Sequence, residues 1–561
     1  MDETTTWHPA GPAEDAPDET LRRVETGGRA VCLGRVDGTW VAFDDTCTHE
    51  ECPLADGYLE GAVVVCPCHG SEFDVHTGEV LSPPAFDPLP IYEVRVAGDA
   101  LEVRFLAPGL AAAALEEPEE PEEPEEHQEP EAVSETVSGV AEPSIDGLEL
   151  DDIDLSNLDA WAVGVPHAWL AKLRREAPLR WQDEPDGSGY WSLTRYDDIV
   201  AVSKDFATFS SETGGTSLED LTPSQVELRK SMLDTDPPAH TRMRAIVNKG
   251  FTPKVVNAYE QRIRGLAREI LAKAFERTRY DFVEDVAAEL PMWVFSEIMG
   301  LPVADRKLLI ELGDKLLGNT DPEVVGEEYT FGSADLTAFK ELPFSSPFSR
   351  DLIEYGRRLG EQRRHEPRDD VTTKLIEAEV DGERLDEREF GVFFILLTTA
   401  GNETTRHTIS LGLLALLDHP EEAARLRADP GLASTAADEI LRVGHPVHHF
   451  RRTATRDVEL HGQTIRAGDK VVIWYASGNF DEDRFADPYR FDVGRTPNRH
   501  LAFGLGGPHF CLGAHLARLE VKIWLEEMIP YLDRIELDGA PERLRSNFFN
   551  DIKRLPVRVR A

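Results

Sequence analysis

Two short constellations in the chain carry the residue types that bind metals. Cys47-Thr48-His49 is followed, sixteen residues later, by Cys66-Pro67-Cys68-His69. Two thiolates and two imidazoles on two loops suit either of two centres. One is a [2Fe–2S] cluster with both imidazoles on one iron, which raises its potential; the other is tetrahedral zinc. The second constellation is Phe503-Gly504-Leu505-Gly506-Gly507-Pro508-His509-Phe510-Cys511-Leu512-Gly513. Its single thiol, Cys511, stands among glycines that let backbone donors approach a thiolate. Such a thiolate below haem iron pushes electron density toward bound oxygen and favours O–O cleavage. Taken alone, the same loop also fits an ordinary turn.

The elements that must hold these residues differ between the two ends. Up to about residue 106, short β-rich runs alternate with Gly and Asp-Gly breaks: Arg29–Gly34, Thr39–Phe43, Gly61–Val65, and Ile91–Val96 turning into Leu101–Phe105. These predict a small antiparallel β domain over 1–106. Residues 107–145 carry a repeated Glu-Glu-Pro unit, in which proline removes helix donors and like charges repel; they predict an extended acidic linker. From 146 to 561 apolar residues recur at helical spacing in Pro166–Glu176, Val255–Ala274, Arg350–Arg364, Glu387–Leu417 and Leu512–Pro530. With short strand-like pieces at Tyr190–Leu193 and Val471–Tyr475, this predicts a large, mainly α domain with a minor β part. The chain is therefore expected to be multidomain.

At 561 residues and 41% hydrophobic content the chain can bury two cores. A net charge of −46 argues against nucleic acid and anionic membrane surfaces as partners. No apolar run approaches the roughly eighteen residues of a membrane span, and the first residues lack the basic and apolar regions of an export signal. A cytoplasmic location is expected. Four of the six cysteines crowd the first constellation and a fifth centres the second, a cofactor pattern rather than a secreted disulfide framework.

The surroundings of the first constellation carry a resemblance. Pro53-Leu54 and Gly57 follow the first loop; Gly70-Ser71, Phe73-Asp74 and Thr77-Gly78 follow the second. In these residues the N-terminal region closely resembles the Rieske family. The resemblance implies a [2Fe–2S] cluster with Cys47 and Cys66 on one iron and His49 and His69 on the other. High-potential Rieske proteins carry a disulfide where Cys52 and Cys68 stand, a serine at Ser71 and a tyrosine at Phe73. This chain keeps the serine and lacks the tyrosine, so one hydroxyl donor to the cluster is missing and a lowered potential is expected. Two packed thiols are the alternative to the disulfide.

Three further motifs accompany Cys511. Glu439-Ile-Leu-Arg442 sets a carboxylate and a guanidinium three apart, with a second arginine offered by Pro488-Tyr489-Arg490-Phe491. Ala400-Gly401-Asn402-Glu403-Thr404-Thr405 lies in a long apolar helical stretch. Asp236-Pro237-Pro238-Ala239-His240-Thr241-Arg242-Met243-Arg244 puts His240 and Arg244 on one helix face. The region from 146 onward resembles the cytochromes P-450. The resemblance implies haem b on Cys511, a buried Glu–Arg–Arg lock, and haem propionates on His240, Arg244, Arg452 and His509. It also implies an oxygen-binding groove in which Gly401 loosens the helix, Thr404 bonds bound oxygen and Glu403 relays protons. A back-bonding Thr beside a surface Glu is the plainer reading of that pair.

The stretches Thr398–Arg406, Gly250–Lys254 and Ala540–Ser546 look most like bacterial hydroxylases of sterol side chains and methyl-branched lipids, as does the extra residue between Phe503 and Cys511. His448-His449 depart from the pattern where the pocket wall should run. Together the resemblances imply a monooxygenase fused to its own electron donor. The Rieske cluster passes electrons to a Cys-ligated haem, which activates O2 and hydroxylates a hydrophobic steroid, terpenoid or branched lipid. No dinucleotide fingerprint opens a βαβ unit, so a separate NAD(P)H-dependent flavoprotein ferredoxin reductase is expected. The alternatives are a peroxygenase or natural-product tailoring enzyme, a Rieske non-haem oxygenase, and a non-enzymatic redox-sensing or electron-transfer protein.

Overall fold

The computed structural model describes residues 6–12, 20–36, 38–48, 53–56, 58–60, 62–66, 71–82, 85, 87–97, 100–105, 143–184, 187–248, 250–251, 253–330, 339–379, 384–505 and 507–560. The chain divides into two compact units, Met1–Glu135 and Thr136–Ala561. The expected linker residues 107–142 lie outside the described residues.

Among the described residues, the first unit has ten strands: β1 His8–Pro12, β2 Leu21–Thr26, β3 Arg29–Val36, β4 Thr39–Asp44, β5 Tyr58–Glu60, β6 Val63–Val65, β7 Glu72–Asp74, β8 Val80–Ser82, β9 Ile91–Ala97 and β10 Ala100–Arg104. One sheet has the order β1-β10-β9-β4-β3-β2, and the other runs β5-β6-β7-β8 as a meander. Every pairing is antiparallel. β2 and β3 pair Thr26 with Arg29 across Gly27 and Gly28, both at positive φ, which the two-residue hairpin requires. The β strands expected from sequence are present, most with ends shifted by one or two residues. β3 and β4 direct Cys32, Val36, Val41 and Phe43 into one buried cluster that also contains Cys47 and Cys66.

The second unit is mainly helical. At its centre runs a helix of 32 residues, Glu387–Asp418, opened by a reciprocal cap between Asp386 and Glu389. It is buried along most of its length, with a polar stretch around Asn402–Ser410 between two apolar ends. Helices Glu289–Met299, Phe348–His365, Ala433–Gly444 and Ala514–Met528 pack on it. A five-stranded sheet, Leu179–Gln182, Tyr190–Leu193, Lys470–Trp474, His449–Ala454 and Phe209–Ser210 in that order, forms the minor β part. The single helix expected over Val255–Ala274 is two, Pro253–Asn257 and Glu260–Ala274. Between them the Tyr259 N–H bonds the Val256 carbonyl three residues back rather than four, ending the first helix.

Candidate active site and metal centres

Both described cysteines of the N-terminal constellation follow strands. Cys47 comes after β4 and Cys66 after β6, with 1% and 2% exposure. Each begins a loop that the chain closes at its base. Thr46 bridges Pro53, and the Leu54 N–H bonds the Asp45 carbonyl at 2.7 Å. The Cys66 N–H bonds the Ser71 carbonyl at 2.8 Å, closing the second loop. The Ser71 hydroxyl is fully buried and accepts the Ala85 N–H at 2.9 Å, so its own proton stays available to donate. Phe73 is buried in the same cluster. His49, His69, Cys52 and Cys68 lie outside the described residues, and with them the expected disulfide. Two buried thiols at the bases of two closed loops, backed by Leu54, Val64 and Phe73, suit a cluster whose cysteine side must exclude water.

The C-terminal loop is shaped by its glycines. Gly504 and Gly507 take positive φ, and a Cβ on Gly507 would run into the Ser203 carbonyl. The Cys511 N–H bonds the Phe503 carbonyl at 2.9 Å, folding the loop back on itself. Burial raises the Cys511 thiol, while the Gly513 N–H and the charges of Arg244 and Arg518 oppose that rise. The donor expected from the loop glycines is thus Gly513.

Four cationic or imidazole side chains gather from three distant segments. His240 and Arg244 come from helix Ala239–Asn248, Arg452 from strand His449–Ala454, and His509 from the Cys511 loop. The rings of His240 and His509 lie 4.4 Å apart. Neither ring nitrogen of His240, nor Nε2 of His509, has a hydrogen-bond partner among the described residues. Burial, reinforced by Arg244 and Arg452, lowers His240 to about 4. Arg452 donates to the Arg451 carbonyl at 2.9 Å and, among the described residues, pairs with no carboxylate. Burying the Arg452 guanidinium here is expensive unless an anion joins it. The carboxylates of a haem would do so, and the donor set therefore fits one.

The expected lock is present with a different member. Arg442 donates twice to Glu439, each bond 2.8 Å, and both residues are fully buried. The second arginine is Arg495, 3.1 Å from Glu439 Oε2, not Arg490, whose side chain is exposed and whose carbonyl accepts from Arg442 and Arg495. The correction has a geometric cause: the turn after Asp487 points the Arg490 side chain outward and brings the chain back five residues later.

Glu403 and Thr404 sit mid-way along the central helix, which runs unbroken through Gly401, so the loosening expected there is not seen. The Thr404 hydroxyl donates to the Ala400 carbonyl at 2.7 Å, leaving its lone pairs toward the cavity it lines. Glu403 is no surface residue: it is 1% exposed, ion-paired with Arg406 and bonded by Asn402 at 2.8 Å. Arg406 also meets Asp314 at 2.5 Å. His407 bridges two carboxylates, with Nε2 3.6 Å from Glu403 and Nδ1 2.5 Å from Asp551. Burial and the nearby Asp314 and Asp551 raise Glu403 despite Arg406. Sequence reasoning missed this network. Arg406 and His407, three and four residues after Glu403, were legible from helical spacing; Asp551 was not.

Above these residues lies a cavity of about 970 Å³. Its wall includes Val392, Ile395 and Leu396 beside Thr404, then Val447, His449 and Phe450, then Phe548 and Phe549.

A glycine-shaped cysteine loop, a cluster of two arginines and two imidazoles, and a cavity lined by Thr404 together suit a haem oxygenase site. The cytochrome P450 family model matches residues 348–430 and 432–544. A methyl-branched lipid omega-hydroxylase of Mycobacterium tuberculosis is 41% identical over 438 residues, which are 76% of this chain and 98% of that protein. The chain belongs to the cytochrome P450 family. The Rieske [2Fe-2S] domain model matches residues 6–93, so this P450 monooxygenase carries a Rieske domain. A steroid C26-monooxygenase of Mycolicibacterium smegmatis is 38% identical over 70% of this chain and 90% of its own length. Among solved structures, a Mycobacterium marinum cytochrome P450 in complex with pseudoionone superposes with a TM-score of 0.66 at 39% identity, covering 72% of this chain and 98% of that one. The P450 unit implies haem and the Rieske unit a [2Fe–2S] cluster. Among the described residues, no helix is long and apolar enough to cross a membrane.

Proposed function

We propose that this P450 hydroxylates a methyl-branched lipid, terpenoid or steroid, using its own Rieske domain as electron donor and a separate NAD(P)H-dependent flavoprotein reductase as the source of electrons. The observation that carries the reading is the co-occurrence, in one chain, of the two closed cysteine loops and the apolar cavity over Thr404. The names of the relatives, a lipid omega-hydroxylase and steroid C26-monooxygenases, support the substrate class.

When bound, the thiolate-held haem supplies O2 activation and the cluster supplies single electrons. His240, Arg244, Arg452 and His509 would hold the haem carboxylates and Cys511 would bind the haem iron, while Cys47, His49, Cys66 and His69 would hold the cluster. The apolar wall excludes water and holds the substrate. The Thr404 hydroxyl, its proton given to the Ala400 carbonyl, presents acceptor lone pairs at the cavity. Glu403, whose carboxyl burial pushes up against the opposing charge of Arg406, relays protons toward Thr404, while Arg406, His407 and Asp551 hold it in place. In domain terms, residues 1–106 are the donor, 107–145 a tether and 146–561 the oxygenase. A flexible coil of about forty residues spans roughly 35 Å, and more when charged. That keeps the donor near millimolar effective concentration.

The test is a stopped-flow measurement under CO. Reductase-driven reduction of the cluster should be followed by formation of the thiolate–haem CO band at a rate independent of protein concentration. Cleaving the chain within 107–145 should slow this step at nanomolar enzyme. A cluster that stays reduced while the haem stays ferric would overturn the proposal, as would equal rates for cut and intact forms.

A further inference from the structure

His448 and His449 are adjacent, yet their surroundings differ. The His448 ring is placed in the core: Nδ1 lies 3.2 Å from His445 Nε2, and the ring packs 4.5 Å from Trp161. The His449 ring lines the cavity over Thr404, between Trp474 at 4.5 Å and Phe548 at 5.2 Å. It is 1% exposed, and neither ring nitrogen has a hydrogen-bond partner among the described residues.

Other polar side chains on that wall are paired within the chain. Arg229 bonds Glu219 at 2.7 Å, Asn547 bonds the Leu155 carbonyl at 3.1 Å, and Asn319 bonds the Phe344 carbonyl at 2.8 Å. An enclosed imidazole left without partners loses the hydration of two nitrogens and regains nothing. A site with this arrangement is completed by a ligand that brings its own hydrogen-bonding atom.

We propose that His449 is a specificity-determining residue that hydrogen-bonds one neutral oxygen, a hydroxyl or carbonyl, on the substrate of this P450. The inference rests on the monooxygenase reading above and adds to it one polar contact that selects, within that class, substrates bearing a neutral oxygen within reach of His449. Two points favour a neutral oxygen over a carboxylate. Burial holds the ring well below its usual range, at about 3, so it carries no charge to meet an anion. A neutral imidazole offers one donor and one acceptor, which suits a hydroxyl.

Side chains alternate across a strand, so His449 and Arg451 share a face and Phe450 and Arg452 the other. Arg451 reaches the Ser217 and Glu219 carbonyls at the cavity wall, and His449 therefore stands on the opposite face of the strand from Arg452.

The experiment uses the full-length, haem-loaded chain with three matched probes: the branched alcohol farnesol, the hydrocarbon farnesene and farnesoic acid. Binding is read by the haem spin-state shift and, independently, by calorimetry. The wild-type chain should bind the alcohol about tenfold or more tightly than the hydrocarbon or the acid, because a site with an unpaired buried polar group discriminates against the analogue lacking its partner. His449→Phe, which keeps the packing against Trp474 and Phe548, should bring alcohol and hydrocarbon to within about threefold; His449→Gln should restore part of the preference. Equal weakening of both ligands in His449→Phe, no preference for the alcohol in the wild-type chain, preference for the acid, or no binding of any probe would each overturn the proposal. If His449→Phe takes up no haem, His449→Gln against wild type decides by the same ratio. Loss of the monooxygenase reading shows separately, as absence of the thiolate CO band, and leaves the calorimetric ratio to judge His449.

Discussion

The two centres of this molecule are assembled in different ways. In the N-terminal unit Cys47 and Cys66 each begin a loop at the end of a short strand, and the same loops carry His49 and His69. The binding groups are local to the motif, and the sheets close the loops. In the P450 unit the thiol comes from one loop, while two guanidiniums and two imidazoles, of Arg244, Arg452, His240 and His509, come from a helix, a strand and that loop. The first centre draws on residues of two short loops. The second draws on a long-range fold that buries Arg452 beside the imidazoles of His240 and His509. Losses at the first should therefore be confined to one function, while losses at the second should spread to cofactor retention and stability.

The largest expected effects break the comparison outright. Cys511→Ser should abolish turnover, by about a thousandfold or more, and remove the thiolate CO band, because the oxygen ligand is a poorer electron donor. Cys47→Ser should abolish reductase-driven turnover equally, yet leave the CO band intact after chemical reduction. If the band is lost there too, the two centres are not separable in the way described.

Next, Arg452→Leu should weaken haem retention by about tenfold or more, since a buried charge–carboxylate bond is worth roughly 1.5–3 kcal/mol. Haem transfer to an acceptor globin measures it, and the iron–sulfur content of the same sample should not change. Glu403→Gln should lower kcat by about 10- to 100-fold, within the usual range for general acid–base groups, with little effect on substrate binding. Steady-state kinetics beside spectral titration checks that split.

The smallest effect concerns Glu520, on the helix that follows Cys511. Its Oε2 is enclosed without a hydrogen-bond partner among the described residues, and burial pushes the carboxyl up to about 8. The folded protein holds this proton through a range in which the unfolded chain, with its ordinary value of about 4.3, has released it. Glu520 thus favours the folded state below the ordinary glutamate range, and that contribution is lost as pH rises toward 8. Glu520→Gln should flatten this fall. Melting temperatures at pH 5 and pH 8, measured with haem bound, give the comparison, and an unchanged slope would count against the assignment.

Much of this architecture was written locally. The long helix followed from apolar spacing and the Asp386–Glu389 cap, and the strands from β-rich runs between glycines. The arginine of the buried lock was misassigned to Arg490 because spacing alone cannot tell which guanidinium a turn points inward; Arg495 was the one. Glu403 was suspected as a relay or a surface residue, and only packing against Arg406, His407 and Asp551 decided that it is buried.

By itself the sequence determined the residues whose chemistry depends on near neighbours: the cysteines and histidines of the first two loops, the glycine-ringed Cys511, the secondary structure that carries them. Tertiary structure alone decided how His240 meets His509, which arginine completes the lock, and why His448 is enclosed in the core while its neighbour His449 lines the cavity. The physical reason is range. Ligand spacing and helical periodicity act over a few residues, whereas desolvation and charge pairing depend on what the whole chain brings within a few ångströms.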